Sequence, residues 1–122
     1  GMGVHAGPLE GHPRVRAAAL RPHGDLPHDD GVLPPELAWA ALDCPSYPGF
    51  DGPLCLLGRM AAEVERPLRV GEELAVVGWD LAVSGRKHVT ASAIVDADGR
   101  VVARALALWI ALRDGVLPPG AR

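Results

Sequence analysis

The sequence predicts an α+β domain in which a single helix packs on a long antiparallel sheet. Residues 33–44 carry apolar side chains at a helical period, and residues 56–112 fall into four apolar or alternating runs separated by turn dipeptides. The length, 122 residues at 48% hydrophobic content, is enough for one core without disulfides or metals. A single domain over 1–122 follows, with an irregular arm over 1–31, the helix over 33–44 and the strands over 56–112. Most apolar residues are Ala, Val and Leu, and Phe50, Tyr47 and three Trp are the only large rings. Such small side chains favour a helix lying tight against a sheet.

In chain order, the arm holds one strand candidate, Arg14 to Leu20, where Val15, Ala17 and Ala19 share a face. Residues Arg21 to Gly31 read RPHGDLPHDDG, which is loop chemistry. Asp29 or Asp30 is the expected N-cap of the helix, and Pro34 and Pro35 suit a first turn whose amides have no intrahelical partner. At roughly 100° per residue, Leu33, Leu37, Ala40, Ala41 and Cys44 form the expected buried stripe, with Glu36 and Asp43 superimposed on its flank. Pro45 is expected to end the helix, followed by a Gly/Pro linker from Tyr47 to Pro53.

The strands follow. In Leu56 to Arg66, Leu56, Gly58, Met60, Ala62 and Val64 alternate with a mixed face that includes Arg59. Pro67 to Glu73 is a turn, and Leu74 to Val83 is apolar on both faces apart from Asp80. His88 to Val95 pairs back across Ser84-Gly85, and Val101 to Leu112 pairs back across Asp98-Gly99. One helix cannot cover both faces of such a sheet, so the remaining apolar surface is expected to meet a second subunit.

A formal net charge of −3 argues against a nucleic-acid surface. The longest apolar stretch, Ala105 to Leu112, falls far short of the ~20 residues that cross a bilayer, and no signal peptide is evident. The expectation is a soluble, cytoplasmic protein without a membrane or nucleic-acid partner. Cys44 and Cys55 are expected to remain thiols. The five His show no ligand spacing, so neither a metal nor a cofactor is expected.

The stretch Glu65-Arg66-Pro67-Leu68-Arg69-Val70-Gly71-Glu72-Glu73-Leu74 resembles the strand, Pro turn, Val-Gly-Glu and next strand of the hotdog superfamily of acyl-CoA thioesterases and dehydratases. Gly85-Arg86-Lys87 is similar to the basic hairpin of its thioesterases, and Asp98-Gly99-Arg100-Val101-Val102-Ala103 to the closing hairpin. The match covers Asp30 to Leu112. It implies one central helix wrapped by a curved antiparallel sheet, pairing through edge strands into a homodimer or a dimer of dimers, and an acyl thioester such as acyl-CoA as ligand.

In thioesterases of this type the helix follows a His-Gly-Gly turn and bears an Asp or Glu that activates water. The resemblance assigns that role to Asp43 but puts Pro34, Pro35 and Glu36 on the His-Gly-Gly positions. The family polarises the thioester carbonyl with a backbone amide there, which proline lacks. A strand Ser or Thr that orients water in some relatives falls at Leu57. A shorter similarity, Gly31-Val32-Leu33-Pro34-Pro35-Glu36, is to the superfamily's dehydratases, but His28 does not have the spacing of their partner His.

Glu36 is the second candidate carboxylate, although the helix dipole favours a negative charge there whatever the function. The amides of Glu36 and Leu37 are candidates to replace the lost glycine amide. Leu37 and Trp39 are expected to wall an acyl channel, or to be core. Arg86, Lys87 and His88, with Arg59 as a weaker candidate, suit the phosphates or pantetheine end of coenzyme A, or form a solvated turn. The expected activity is thioester hydrolysis with Asp43 activating water. The alternatives are a non-catalytic acyl-thioester or lipid-binding hotdog protein, and an interaction protein with a vestigial pocket.

Overall fold

The structure, a computed structural model, describes residues 7–9, 12–48 and 54–113. One 12-residue helix, α1 (Pro35–Ser46), accompanies six strands: β1 (Gly7–Leu9), β2 (His12–Leu20), β3 (Cys55–Val64), β4 (Leu74–Ser84), β5 (Lys87–Asp96) and β6 (Val101–Ala111). They form one antiparallel sheet in the order β1-β2-β4-β5-β6-β3. The two hairpins lie at the expected turns, where Gly85 and Gly99 take φ of 58° and 80°. β3 is not beside β4. It forms the far edge against β6, so the chain runs from β2 through α1 to one edge and returns across the helix to β4. Residues 49–53 of the expected linker lie outside the described residues.

The helix differs from expectation at both ends and in the face it buries. Asp29 and Asp30 do not cap it. Asp29 and Val32 exchange backbone hydrogen bonds of 2.8 and 3.0 Å, closing a tight turn in which Asp30 and Gly31 both have positive φ. The helix starts after Pro34, which offers no side-chain cap, and extends through Pro45 to Ser46. The buried face is Ala38, Ala41, Leu42 and Pro45, whereas Ala40 and Cys44 are exposed and Leu37 is half-buried. That face is rotated by about 100°, one residue, from the expected stripe. Gly78 on β4 shows why: a Cβ there would stand 1.8 Å from the Pro45 carbonyl oxygen. The helix end thus lies directly on the sheet backbone, and the small Ala38 and Ala41 allow the rest to follow.

β2 lies beside β4 with alternate residues on opposite faces of the sheet. Arg16, Ala18 and Leu20 pair with Gly78, Val76 and Leu74 under the helix, while Val15, Ala17 and Ala19 face away. Along β3 the expected apolar set Met60, Ala62 and Val64 does pack against the core. A bulge between Leu57 and Arg59 reverses the alternation before it, so Cys55 is buried and Leu56 and Leu57 are exposed. The sheet's other face has an alanine-floored cleft of about 630 Å³, lined by Trp79, Ala91, Arg104 and Leu106 among others. No helix of the described residues is long and apolar enough to cross a membrane.

Candidate functional site

α1 projects Asp43, Glu36 and Trp39 from the side opposite its buried face, and all three are exposed. Glu36 and Asp43 stand two turns apart, about 10 Å along the axis at 1.5 Å per residue, too far to share a proton. Asp43 is the better placed for chemistry. Its carboxylate has no hydrogen-bond or ion-pair partner among the described residues, and desolvation by neighbouring atoms raises its pKa above the usual 3.8. The residue is exposed overall, so the desolvation is partial.

The backbone beneath Asp43 is closely held. A helix leaves its last carbonyls without intrahelical donors, and three consecutive ones here are supplied. The Ser46 hydroxyl donates to the Asp43 carbonyl at 2.6 Å and the Tyr47 amide to Cys44 at 3.3 Å. Arg16 donates from Nε to Pro45 at 2.9 Å. Tyr47 packs edge-on against Trp109, ring centroids 4.9 Å apart, and its hydroxyl accepts the Cys55 amide at 2.8 Å. Trp109 is thereby core. Trp79 is half-buried on the sheet's other face.

The structure puts the basic hairpin at the same end of the sheet as the Asp43 end of α1, but not beside it. From Gly78 to Ser84, β4 continues about 20 Å past the helix end at the usual rise of a strand. Arg86 and Lys87 are exposed at the hairpin tip and His88 is half-buried opposite Trp109. Arg86 is tied back at its carbonyl, which accepts the Ala111 amide at 2.7 Å, and weakly through Nη1 to the Ala111 carbonyl at 3.4 Å. Arg59 is exposed at the β3 bulge, opposite Leu108. Leu37 lies half-buried against the core on the other flank of the helix from Trp39.

No protein-family model and no curated protein matches the sequence. Solved structures do match its fold. A thioesterase superfamily protein superposes with a TM-score of 0.68 at 20% identity, over 79% of this chain and 48% of that one, so this chain spans about half its length. Zebra fish thioesterase superfamily member 2 gives 0.72 at 12% identity, over 88% of this chain and 81% of that one. A Haemophilus influenzae thioesterase gives 0.74 at 13%, over 92% and 80%. The chain has the hotdog fold.

In this hotdog the start of the helix departs from the expected carbonyl-binding arrangement. The Leu37 amide donates to the Pro34 carbonyl at 3.1 Å and is therefore taken. A cleft of about 340 Å³ lies between Pro34, Pro35 and Ala38 and the segment Val64 to Leu68. Neither this cleft nor the larger one on the other sheet face is lined by Asp43. Among the described residues no group of His, Cys, Asp and Glu is arranged to hold a metal.

One functional candidate escaped the sequence reading. Arg16 is buried, 4% exposed, with Nη1 donating to Asp80 Oδ1 at 3.0 Å and Nη2 without a partner among the described residues. It lies in an alternating strand one residue out of phase with Val15, Ala17 and Ala19, where a charged side chain gives no local sign of burial. The available signal was Asp80, the lone charge in the otherwise apolar run of β4, which needed a partner.

Proposed function

We propose that this hotdog protein hydrolyses acyl thioesters, with Asp43 as general base. The observation that supports this is the contrast between the Asp43 carboxylate, of raised pKa and without a partner among the described residues, and the backbone turn beneath it, in which the carbonyls of Asp43, Cys44 and Pro45 each have a donor. A carboxylate that served only structure would accept hydrogen bonds itself. In the proposed step Asp43 takes a proton from water as the oxygen attacks the thioester carbonyl carbon. The tetrahedral intermediate collapses by breaking the C–S bond, and the proton held by Asp43 passes to the departing thiolate, giving a carboxylic acid and a thiol. Trp39, one turn before Asp43 and 39% exposed, walls the acyl chain. Arg86 and Lys87 meet the anionic end of coenzyme A.

β3 supports a homodimer. It is an edge strand of ten residues, and its exposed side chains include Leu56 and Leu57 at 42% and 44%. An edge so long and apolar calls for a partner. Pairing of two β3 edges extends the sheet and places α1 of each subunit beside the other's surface. A second reading, a non-catalytic acyl-thioester binder, is favoured by the two prolines and the occupied Leu37 amide, because no donor replaces the glycine amide except that of Glu36.

Release of thiol from a panel of acyl-CoA chain lengths tests the choice. Asp43→Asn keeps the shape and removes the base, and is expected to lower kcat about 10²-fold or more while leaving Kd for the substrate unchanged. Binding without any Asp43-dependent turnover would replace the hydrolase with the binding-protein reading.

A further inference from the structure

We propose that Arg16 is a positioning residue for Asp43, setting where the last turn of α1 rests on the sheet. The inference depends on the hydrolase reading for its catalytic consequence, though its geometry stands independently. Arg16 enters from β2 directly across from Gly78, where the Pro45 carbonyl comes against the sheet backbone. Its Nε holds the Pro45 carbonyl and its Nη1 holds Asp80, so one rigid guanidinium joins the end of α1 to β2 and β4. Of the other two donors to the last turn, Ser46 belongs to the helix itself, and Tyr47 is anchored to β3 and β6 through Cys55 and Trp109, so Arg16 is the tie to β2 and β4. The last turn holds no basic residue, so Arg16 is also the cation that faces the negative end of the helix dipole.

Stability alone does not account for this residue. Burying a guanidinium against a partner that is itself 43% exposed costs desolvation that the ion pair recovers only in part, and an apolar side chain of similar size fills such a site as well or better. What an apolar side chain cannot do is specify the height and register of the helix end to a fraction of an ångström. A general base needs that placement, because a misplacement of about 1 Å is enough to slow a reaction severely. Asp43 lies two residues before Pro45 and points to the opposite side of the helix, so Arg16 acts on it through the backbone and not by direct contact.

The test compares crystal structures and acyl-CoA hydrolysis of Arg16→Met and Asp80→Asn, each alone and combined with Asp43→Asn. Arg16→Met is expected to move the Asp43 Cα by about 1 Å and to lower kcat at least about tenfold with KM within about threefold. Combined with Asp43→Asn it is expected to cost nothing further, since both changes remove one function. Asp80→Asn, on the exposed side of the pair, is expected to give a smaller loss of the same kind, and supplies both measurements if Arg16→Met does not fold. An Asp43 Cα that stays in place in folded variants overturns the proposal whether or not the protein hydrolyses thioesters. Additive kinetic losses overturn it equally. A wild type without Asp43-dependent turnover refutes the hydrolase reading instead, and the displacement alone then decides whether Arg16 sets the turn.

Discussion

Replacing Gly78 with alanine probes the contact on which the helix placement rests. The added Cβ would meet the Pro45 oxygen at 1.8 Å, the carbonyl carbon at 2.5 Å and the Pro45 Cβ at 3.1 Å, whereas ordinary contact begins at 3.4 Å. Two of these atoms are backbone, so no rotamer change relieves the clash, and the helix end must retreat by about 1.5 Å. Overpacking of a well-filled core costs about 1–3 kcal/mol. The same retreat breaks the buried hydrogen bond from Arg16 to Pro45, which as a charged-donor bond is worth about 1.5–3 kcal/mol. A loss of roughly 3–5 kcal/mol lowers Tm by roughly 15 °C in a domain of this size. Thermal melting followed by circular dichroism measures it, with Gly24→Ala as control, since the nearest atom to a Cβ there is at 3.9 Å. A Gly78→Ala protein melting within about 3 °C of wild type would mean that the helix end is not seated on β4 as described.

Four further outcomes are expected. Leu42→Asp, at a fully buried position, prevents folding, while Leu37→Asp, at a half-buried one, yields a soluble protein with a lower Tm; the reverse order in a solubility and melting assay would return the buried face to the expected stripe. Asp96 has its pKa held below 3.8 chiefly by the Arg100 amide, then by the Asp98 amide and Arg66. Its folded pKa is thus below its unfolded one, and its contribution to stability is present above the unfolded value and lost as pH falls through the folded one. Asp96→Asn should therefore melt lower at pH 7 and lose less on acidification below about pH 4, and parallel Tm-against-pH curves would contradict this. Replacing Arg86 and Lys87 together with Ala should weaken acyl-CoA binding and its salt dependence with Tm nearly unchanged, and equal affinity in calorimetry would make the hairpin a solvated turn. Light scattering should give a dimer or higher even-numbered oligomer, and a monodisperse monomer at micromolar concentration would remove the β3 pairing.

The sequence by itself determined the elements from residue 33 onward, whereas in the arm it missed β1 and gave β2 only from Arg14. Proline pairs and Gly-containing turns punctuate the chain at places where only certain backbone conformations are possible, and a period of two or 3.6 between apolar residues names the element between them. That is local physics, and it placed one helix, four long strands and two hairpins within one or two residues. The resemblance read from residues 30–112 supplied Asp43 as the candidate base. Only the tertiary structure decided which side of each element is inside. Alanine, glycine and cysteine are nearly neutral about burial, so a helix of Ala, Leu and Cys offers two plausible faces, and β2 offers Val15 or Leu20. The choice was made by contact between elements distant in sequence: Pro45 can approach β4 only at Gly78, and once it does, Ala38, Ala41 and Leu42 turn inward and Asp43 turns out. The same contact buries Arg16, whose partners Pro45 and Asp80 lie 29 and 64 residues away, a separation that no local pattern can encode.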